Sequence, residues 1–245
     1  MDGTIRVWSC AGRRLLKERH EHQKMVHSFH FQPDGKHLLS LDDGGKAIWW
    51  DTLTWQVSRT FTMELSDRDR FSQPVAVSPD GNLLAVITKE ETMHWLNAET
   101  GELIKTTSRP PGPLSQRAKV AFSGDGSKVA SVSAYGTVAL WEPSSFKLIE
   151  AFKGHMLGAH GVAFSTDGRR LASGGGSSSD VIKLWDPLTR RELLTLSGQG
   201  TIVASIVFSP DGRWLAACSK EGWLNLWYAP SLEEIEAEEK RLESG

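Results

Sequence analysis

Five short segments recur along this chain, and their spacing limits the fold more than any other feature. They read Gln32-Pro33-Asp34-Gly35, Ser78-Pro79-Asp80-Gly81, Ser123-Gly124-Asp125-Gly126, Ser165-Thr166-Asp167-Gly168 and Ser209-Pro210-Asp211-Gly212, with glycines 46, 45, 42 and 44 residues apart. A second series, Trp8, Trp50, Leu96, Trp141, Trp185 and Trp227, ends short runs of alternating apolar residues. It follows the glycine by 15 residues in four copies and by 17 in the fourth, where Gly174-Gly175-Gly176-Ser177-Ser178-Ser179 takes up the extra length. Two markers that keep one register over five copies define a structural repeat of about 44 residues.

Each copy has the same local logic. An apolar run such as Val120-Ala121-Phe122 or Ile206-Val207-Phe208 leads into the turn. There the Asp side chain caps the reversal and the Gly takes the positive φ that a tight turn needs. A second run follows, for example Leu83-Leu84-Ala85-Val86 or Leu215-Ala216-Ala217. A third run alternates with period two, as in Ile5/Val7, Val138/Leu140, Ile182/Leu184 and Leu224/Leu226. A more polar fourth run, such as Glu192-Leu193-Leu194-Thr195-Leu196, closes the copy. Four short strands joined by hairpin turns make an antiparallel meander. Such a sheet is stable only when neighbouring copies cover its faces. No 3.6-residue apolar stripe spans a copy, so helical arrays are excluded.

These residues resemble the WD-repeat β-propeller family. Trp50-Asp51 and Trp185-Asp186 carry the family dipeptide, and Trp8-Ser9, Trp141-Glu142 and Trp227-Tyr228 are variants of it. Gly154-His155 matches the Gly-His that opens a repeat, thirteen residues before Gly168; His22 stands thirteen before Gly35, and Gly198-Gln199 is a degenerate copy. The resemblance covers roughly residues 3 to 228. It implies an all-β propeller of four-stranded antiparallel blades, five of them plus a partial N-terminal one, in an open arc or incomplete ring. It also implies a buried network of His, Ser, Asp and Trp. His22, Ser40, Trp50, Trp141, His155, Ser173, Trp185 and Trp227 take the structural positions of that network, with Ser131 a further match. For the Asp, Asp2 fits, Asp43 and Asp180 are one residue off, and Glu90, Tyr135 and Glu221 replace it, so no copy is expected to hold the full set. Degenerate arrays of this kind look like bacterial WD proteins, often attached to modules such as protein kinases, and the chain reads as a C-terminal fragment of a larger protein.

The repeat register divides the chain into a propeller over residues 1–228 and a tail over 229–245. A partial blade covers 3–20, and blades cover about 24–62, 72–107, 118–152, 159–196 and 203–228. The strand at Arg13–Glu18 would close the last blade only by leaving Thr4–Trp8 surplus. An arc left open exposes sheet edges and apolar faces, which invites self-association through open blade edges or capture of a partner. The tail Pro230–Leu242 reads as a short helix, with Ser231 and Glu234 forming a capping box and Lys240 and Arg241 at the far end.

Composition narrows the function. A net charge of -2 with 24% charged residues argues against nucleic acid as a partner. No run of ~18 apolar residues is present, so no membrane helix is expected, and the N-terminus has no basic start followed by an apolar stretch. A cytoplasmic setting is expected. Ten Trp against two Tyr suit a repeated packing position, and two cysteines are too few to staple the fold. No catalytic set, cofactor motif or metal site is expected. The repeated Asp residues belong to turns, the eight His are scattered, and His27 and His30 face opposite sides of a strand.

The expected function is therefore a protein-interaction scaffold that binds protein or peptide partners. In a four-strand meander the turns between strands two and three share a face with the blade-to-blade loops. Those loops are the long, varied ones, so specificity is expected there. The candidate partner-binding residues are Arg68, Arg70, Phe71, Arg109, Arg117, Tyr135, Met156 and Leu157, of types enriched at interfaces. The alternative is a propeller module that gates or regulates a linked enzyme, a peptidase or protein kinase, encoded outside this chain.

Overall fold

The computed structural model describes residues 3–32, 34–63, 75–87, 92–108, 118–177 and 181–229, and these form β-strands and turns with no helix among them. A two-stranded edge hairpin comes first, β1 (Ile5–Ser9) and β2 (Arg14–Arg19). Blade one follows with β3 (Val26–Phe31), β4 (His37–Asp42), β5 (Lys46–Asp51) and β6 (Val57–Thr62). Blade two holds β7 (Val75–Val77), β8 (Leu83–Ile87), β9 (Met93–Asn97) and β10 (Leu103–Thr107). Blade three holds β11 (Ala118–Phe122), β12 (Val129–Ser133), β13 (Thr137–Glu142) and β14 (Lys147–Lys153). Blade four holds β15 (Ala159–Phe164), β16 (Leu171–Gly175), β17 (Ile182–Trp185) and β18 (Glu192–Leu196). Blade five has three strands among the described residues, β19 (Val203–Phe208), β20 (Trp214–Ser219) and β21 (Leu224–Tyr228). All pairings are antiparallel between sequence neighbours. The chain is thus an all-β propeller of successive meanders.

Among the described residues blade five has the three strands that its copy of the repeat supplies, and β2 pairs with β1, as the surplus of Thr4–Trp8 led one to expect. The expected C-terminal helix lies outside the described residues.

Period-two alternation decides how the blades stack. In β5, Ala47 and Trp49 turn toward blade two, where they meet Val75, Leu84, Val86 and Leu96. Ile48 and Trp50 turn the other way, onto Ile5 of the edge hairpin. The same division recurs between blades two and three, three and four, and four and five. Burying a large apolar side chain contributes roughly 1.5–3 kcal/mol, so these interfaces carry the fold. The first strands β7, β11, β15 and β19 lie successively against one another along the inner edge of the stack. Across that inner edge, Lys119 Nζ on β11 donates to the Ala204 carbonyl oxygen on β19, 2.5 Å away. Burial lowers this amine to about 8.

The repeated turns follow the sequence logic closely. Gly35, Gly81, Gly126, Gly168 and Gly212 all have φ between 68° and 75°. Ser123 and Ser165 donate to Asp125 and Asp167 over 2.6 Å, Ser78 to Asp80 over 2.5 Å, and Ser209 pairs with Asp211 in the same way. These hydroxyls, followed by backbone N–H groups, hold the carboxylates below their ordinary value, Asp125 at about 2. Blade one has Gln32 in the Ser position, and its Oε1 bonds His37 Nδ1 at 2.9 Å.

Candidate functional site

The polar network of the repeat is built to different extents in different blades. In blade one it is complete. Trp50 Nε1 donates to Ser40 Oγ over 2.7 Å. The Ser40 hydroxyl lies 2.7 Å from His22 Nε2, and His22 Nδ1 lies 2.9 Å from Asp42 Oδ2. Asp42 Oδ1 accepts the backbone N–H groups of Gly44 and Lys46. One set of proton positions satisfies every member: indole to hydroxyl, hydroxyl to Nε2, and Nδ1–H to carboxylate. The imidazole in that arrangement is neutral. Burial holds its pKa below the ordinary 6.5, with Asp42 pulling in the opposite direction.

This overturns the expectation that no copy holds the full set. The carboxylate is Asp42, the last residue of β4, and not Asp43 in the following turn, whose Oδ1 is buried without a partner. In blade four, Trp185 Nε1 donates to Ser173 Oγ and the hydroxyl bonds His155 Nε2, both at 2.7 Å. Blade three keeps the pair Trp141 Nε1 to Ser131 Oγ, 2.9 Å. In blade five Ala217 stands in the Ser position. Asn225 there bonds Gln199 through both its amide atoms, over 2.8 and 2.9 Å. The network is structural: its atoms are turned inward and consumed by one another. The Asp of each Trp-Asp dipeptide is also a turn residue. Asp51 accepts from Leu53 and Thr54, and Asp186 from Leu188 and Thr189.

The other group of turns sits beside the blade-to-blade loops. The turn between β12 and β13 meets the loop that joins blades three and four. Gly136 O accepts the N–H groups of Gly154 and His155 over 2.8 and 3.0 Å, and Lys153 Nζ donates to Tyr135 O. Gly136 has φ +80°, and a Cβ there would stand 1.8 Å from the His155 carbonyl oxygen, so the contact needs glycine. Gly176, just after β16, packs its backbone against Leu157 O in the same way. The two kinds of loop therefore share a face, as the strand parity requires. The same contact recurs in blade one, where Asp43 N donates to Met25 O, and in blade five, where Lys220 N donates to Ile202 O. On the opposite face the repeated Gly turns tie to the turns after the third strands, as in Thr52 Oγ1 to Gly35 O.

Of the candidate partner-binding residues, Tyr135, Met156 and Leu157 come together here, all exposed. Arg68, Arg70, Phe71, Arg109 and Arg117 lie outside the described residues. His30 Nε2 is bonded to Ser28 Oγ at 2.8 Å. Among the described residues no group of three or more His, Cys, Asp or Glu is placed to hold a metal ion. Cys10 and Cys218 are free thiols. No helix among the described residues is long and apolar enough to cross a membrane.

Comparison with known proteins points the same way as the geometry. The family described as "WD domain, G-beta repeat" matches residues 13–51, 146–186 and 190–228. The chain is similar to Periodic tryptophan protein 2 of Arabidopsis thaliana, 27% identical over 175 residues, which is 70% of this chain and 19% of that protein. It is similar to WD repeat-containing protein SL1-17 of Schistosoma mansoni, 25% identical over 170 residues, 68% of this chain and 52% of that protein. It is similar to Transducin beta-like protein 3 of Rattus norvegicus, 25% identical over 166 residues, 63% and 20% respectively. The match thus spans between a fifth and about half of these relatives. With its stacked meanders, its indole-to-hydroxyl pairs and these matches, the chain belongs to the WD-repeat family.

Proposed function

We propose that this propeller is a protein-interaction scaffold that holds protein or peptide partners on the face carrying the blade-to-blade loops. The observation that carries the reading is the convergence of the β12–β13 turn with the 154–158 loop, which places exposed Tyr135, Met156 and Leu157 on two adjoining loops. Aromatic and Met side chains on a rigid frame give contact area at small entropic cost. The polar groups of the repeat are consumed in turns and in the inner network, which suits a non-enzymatic fold. The family resemblance supports an interaction role of this general kind, and the partner's chemistry would be set by this face.

Affinity capture tests the reading with two triple or double variants. Tyr135→Ala with Met156→Ala and Leu157→Ala alters the loop face. Leu53→Ala with Leu188→Ala, both exposed on the opposite face, is the control. The loop-face variant should lose partners that the control retains. Identical partner sets from wild type and the loop-face variant would refute the assignment. A linked peptidase or kinase whose activity changes on adding the isolated chain would favour the alternative, a regulatory module.

A further inference from the structure

Between blades two and three, on the face opposite the blade-to-blade loops, the turns enclose a cleft of about 350 Å³. Both blades are packed against a neighbour on either side, so the cleft owes nothing to where the chain begins or ends. The β7–β8 turn contributes Pro79 and Asp80, the β11–β12 turn Phe122 and Asp125, and the β13–β14 turn Ser144 and Phe146. Its walls are apolar: Leu83, Phe122 and Phe146 are half-buried against the core that the two blades share. They are also fixed in place. Phe146 has φ 56°, its ring packs 5.5 Å from that of Trp95 in blade two, and its carbonyl oxygen accepts from Thr107 Oγ1 over 2.9 Å.

The rim carries charge of one sign. Asp80 and Asp125 line the cleft and are exposed, and no Lys, Arg or His lines it. The turns take up each Oδ1, through Ser78 Oγ and Asn82 N in one case and Ser123 Oγ and Ser127 N in the other. Each Oδ2 accepts a single bond, from Asn82 Nδ2 over 2.9 Å and from Ser127 Oγ over 2.8 Å, which leaves acceptor capacity on both. These donors are uncharged, so they keep the two carboxyls ionised without cancelling their charge. The charge of Lys128 acts on Asp125 more weakly than these bonds. At the junction of blades three and four, the residue in the register of Phe146 is Arg190, which pairs through Nε with Glu150 of the preceding blade at 2.9 Å. With Phe146 in that register, the cleft between blades two and three has two acids and no cation of its own among its lining residues.

We propose that this cleft binds the side chain of an arginine carried by a partner protein. A planar guanidinium presents five donors in a fixed fork and suits a site with two carboxylates better than a point-like ammonium does. Its aliphatic stem lies along Pro79, Phe122 and Phe146, as the stems of long cationic side chains do on apolar surface. The volume is at the small end of ligand pockets, which suits one long side chain. Residues 230–245 of the chain itself are of the wrong sign, with six Glu against one Lys and one Arg. The cleft and the loop face lie on opposite sides of the propeller, so neither assignment depends on the other.

Amide NMR shifts of the full chain test the proposal, with a short capped peptide that holds one arginine between glycines as the probe. The peptide should bind saturably, with a dissociation constant on the order of a millimolar for a single side-chain contact, and should shift the amides of Gly81, Gly126 and Ser144. The same peptide with citrulline keeps the shape without the charge and should bind about tenfold more weakly. Asp80→Asn with Asp125→Asn should weaken the arginine peptide by about the same factor. Asn keeps an acceptor for the turn hydroxyls, and circular dichroism checks the fold. Should that variant unfold, Ser144→Lys carries the test, because it sets a rival ammonium on the exposed rim and leaves both Asp-Gly turns intact. Leu53→Ala with Leu188→Ala should leave binding unchanged. The absence of saturable shifts at the solubility limit of the peptide overturns the proposal. Equal binding of the citrulline peptide, or full binding by the Ser144→Lys chain, overturns it too. So does binding seen only after deletion of residues 230–245, since that segment would then be the natural occupant.

Discussion

Blade one and blade three bury their repeat tryptophan equally well, Trp50 at 0% and Trp141 at 1% exposure, but surround it differently. Trp50 sits at the head of a four-member chain through Ser40 and His22 to Asp42, whereas Trp141 has Ser131. The position of Asp42 is taken by Ser133 in blade three. The two blades share sheet registers and inter-blade packing. Packing between blades therefore fixes the tryptophan, and the polar chain is an addition that one blade keeps. What the addition changes is the penalty for damage. In blade one a single hydroxyl serves two buried partners, so its loss strands both.

The largest expected effect tests that asymmetry. Ser40→Ala should cost about 3 kcal/mol, because Trp50 Nε1 and His22 Nε2 each lose a partner and a buried unpaired polar group costs ~1–3 kcal/mol. Ser131→Ala strands the Trp141 indole alone and should cost about half as much. Urea unfolding of both variants gives the ratio, and equal losses would break the comparison.

A second difference is in pH response. The buried His22 imidazole titrates below 6.5 in the folded chain. Its unfolded counterpart binds a proton first as pH falls, so folding stability drops below the ordinary histidine value and continues to drop until His22 itself is protonated. A His22→Phe variant, although less stable at neutral pH, should lack this part of the slope. Unchanged slopes in stability measured from pH 7 to pH 5 would show that the network does not hold His22 neutral.

The smallest effect reverses the advantage. Blade three has the Ser123–Asp125 turn where blade one has Gln32. The Asp125 carboxyl is held at about 2, chiefly by the Ser123 hydroxyl. That contribution is present above the ordinary carboxyl value of 3.8 and is lost as pH falls toward 2. Ser123→Ala should move the Asp125 titration, followed by NMR, toward the ordinary value. At neutral pH the cost should stay under about 1 kcal/mol, since the group is solvent-screened.

The fold was legible because its markers are local. Turn glycines and alternating strands carry their information within a few residues, and the positive φ angles fall where the five Asp-Gly pairs stand. The network was harder to read. Register pointed to the turn after the second strand, where Asp43 sits, but β4 runs on to Asp42 and delivers that carboxylate to His22 instead. A shift of one residue flips a side chain to the other face, so spacing alone could not choose between adjacent aspartates. Tyr135 stands where the network Asp is expected, but its side chain is exposed and so lies outside the inner network. The contact of its turn with the 154–158 loop depends on Gly136, whose role is visible only once the His155 carbonyl oxygen is placed beside it.

Lys119 gives the stack a chord. Its amine reaches past blade four to the Ala204 carbonyl oxygen of blade five, so the bend between three consecutive sheets is braced by one flexible arm as well as by packed side chains. Flattening the curve would stretch that brace first.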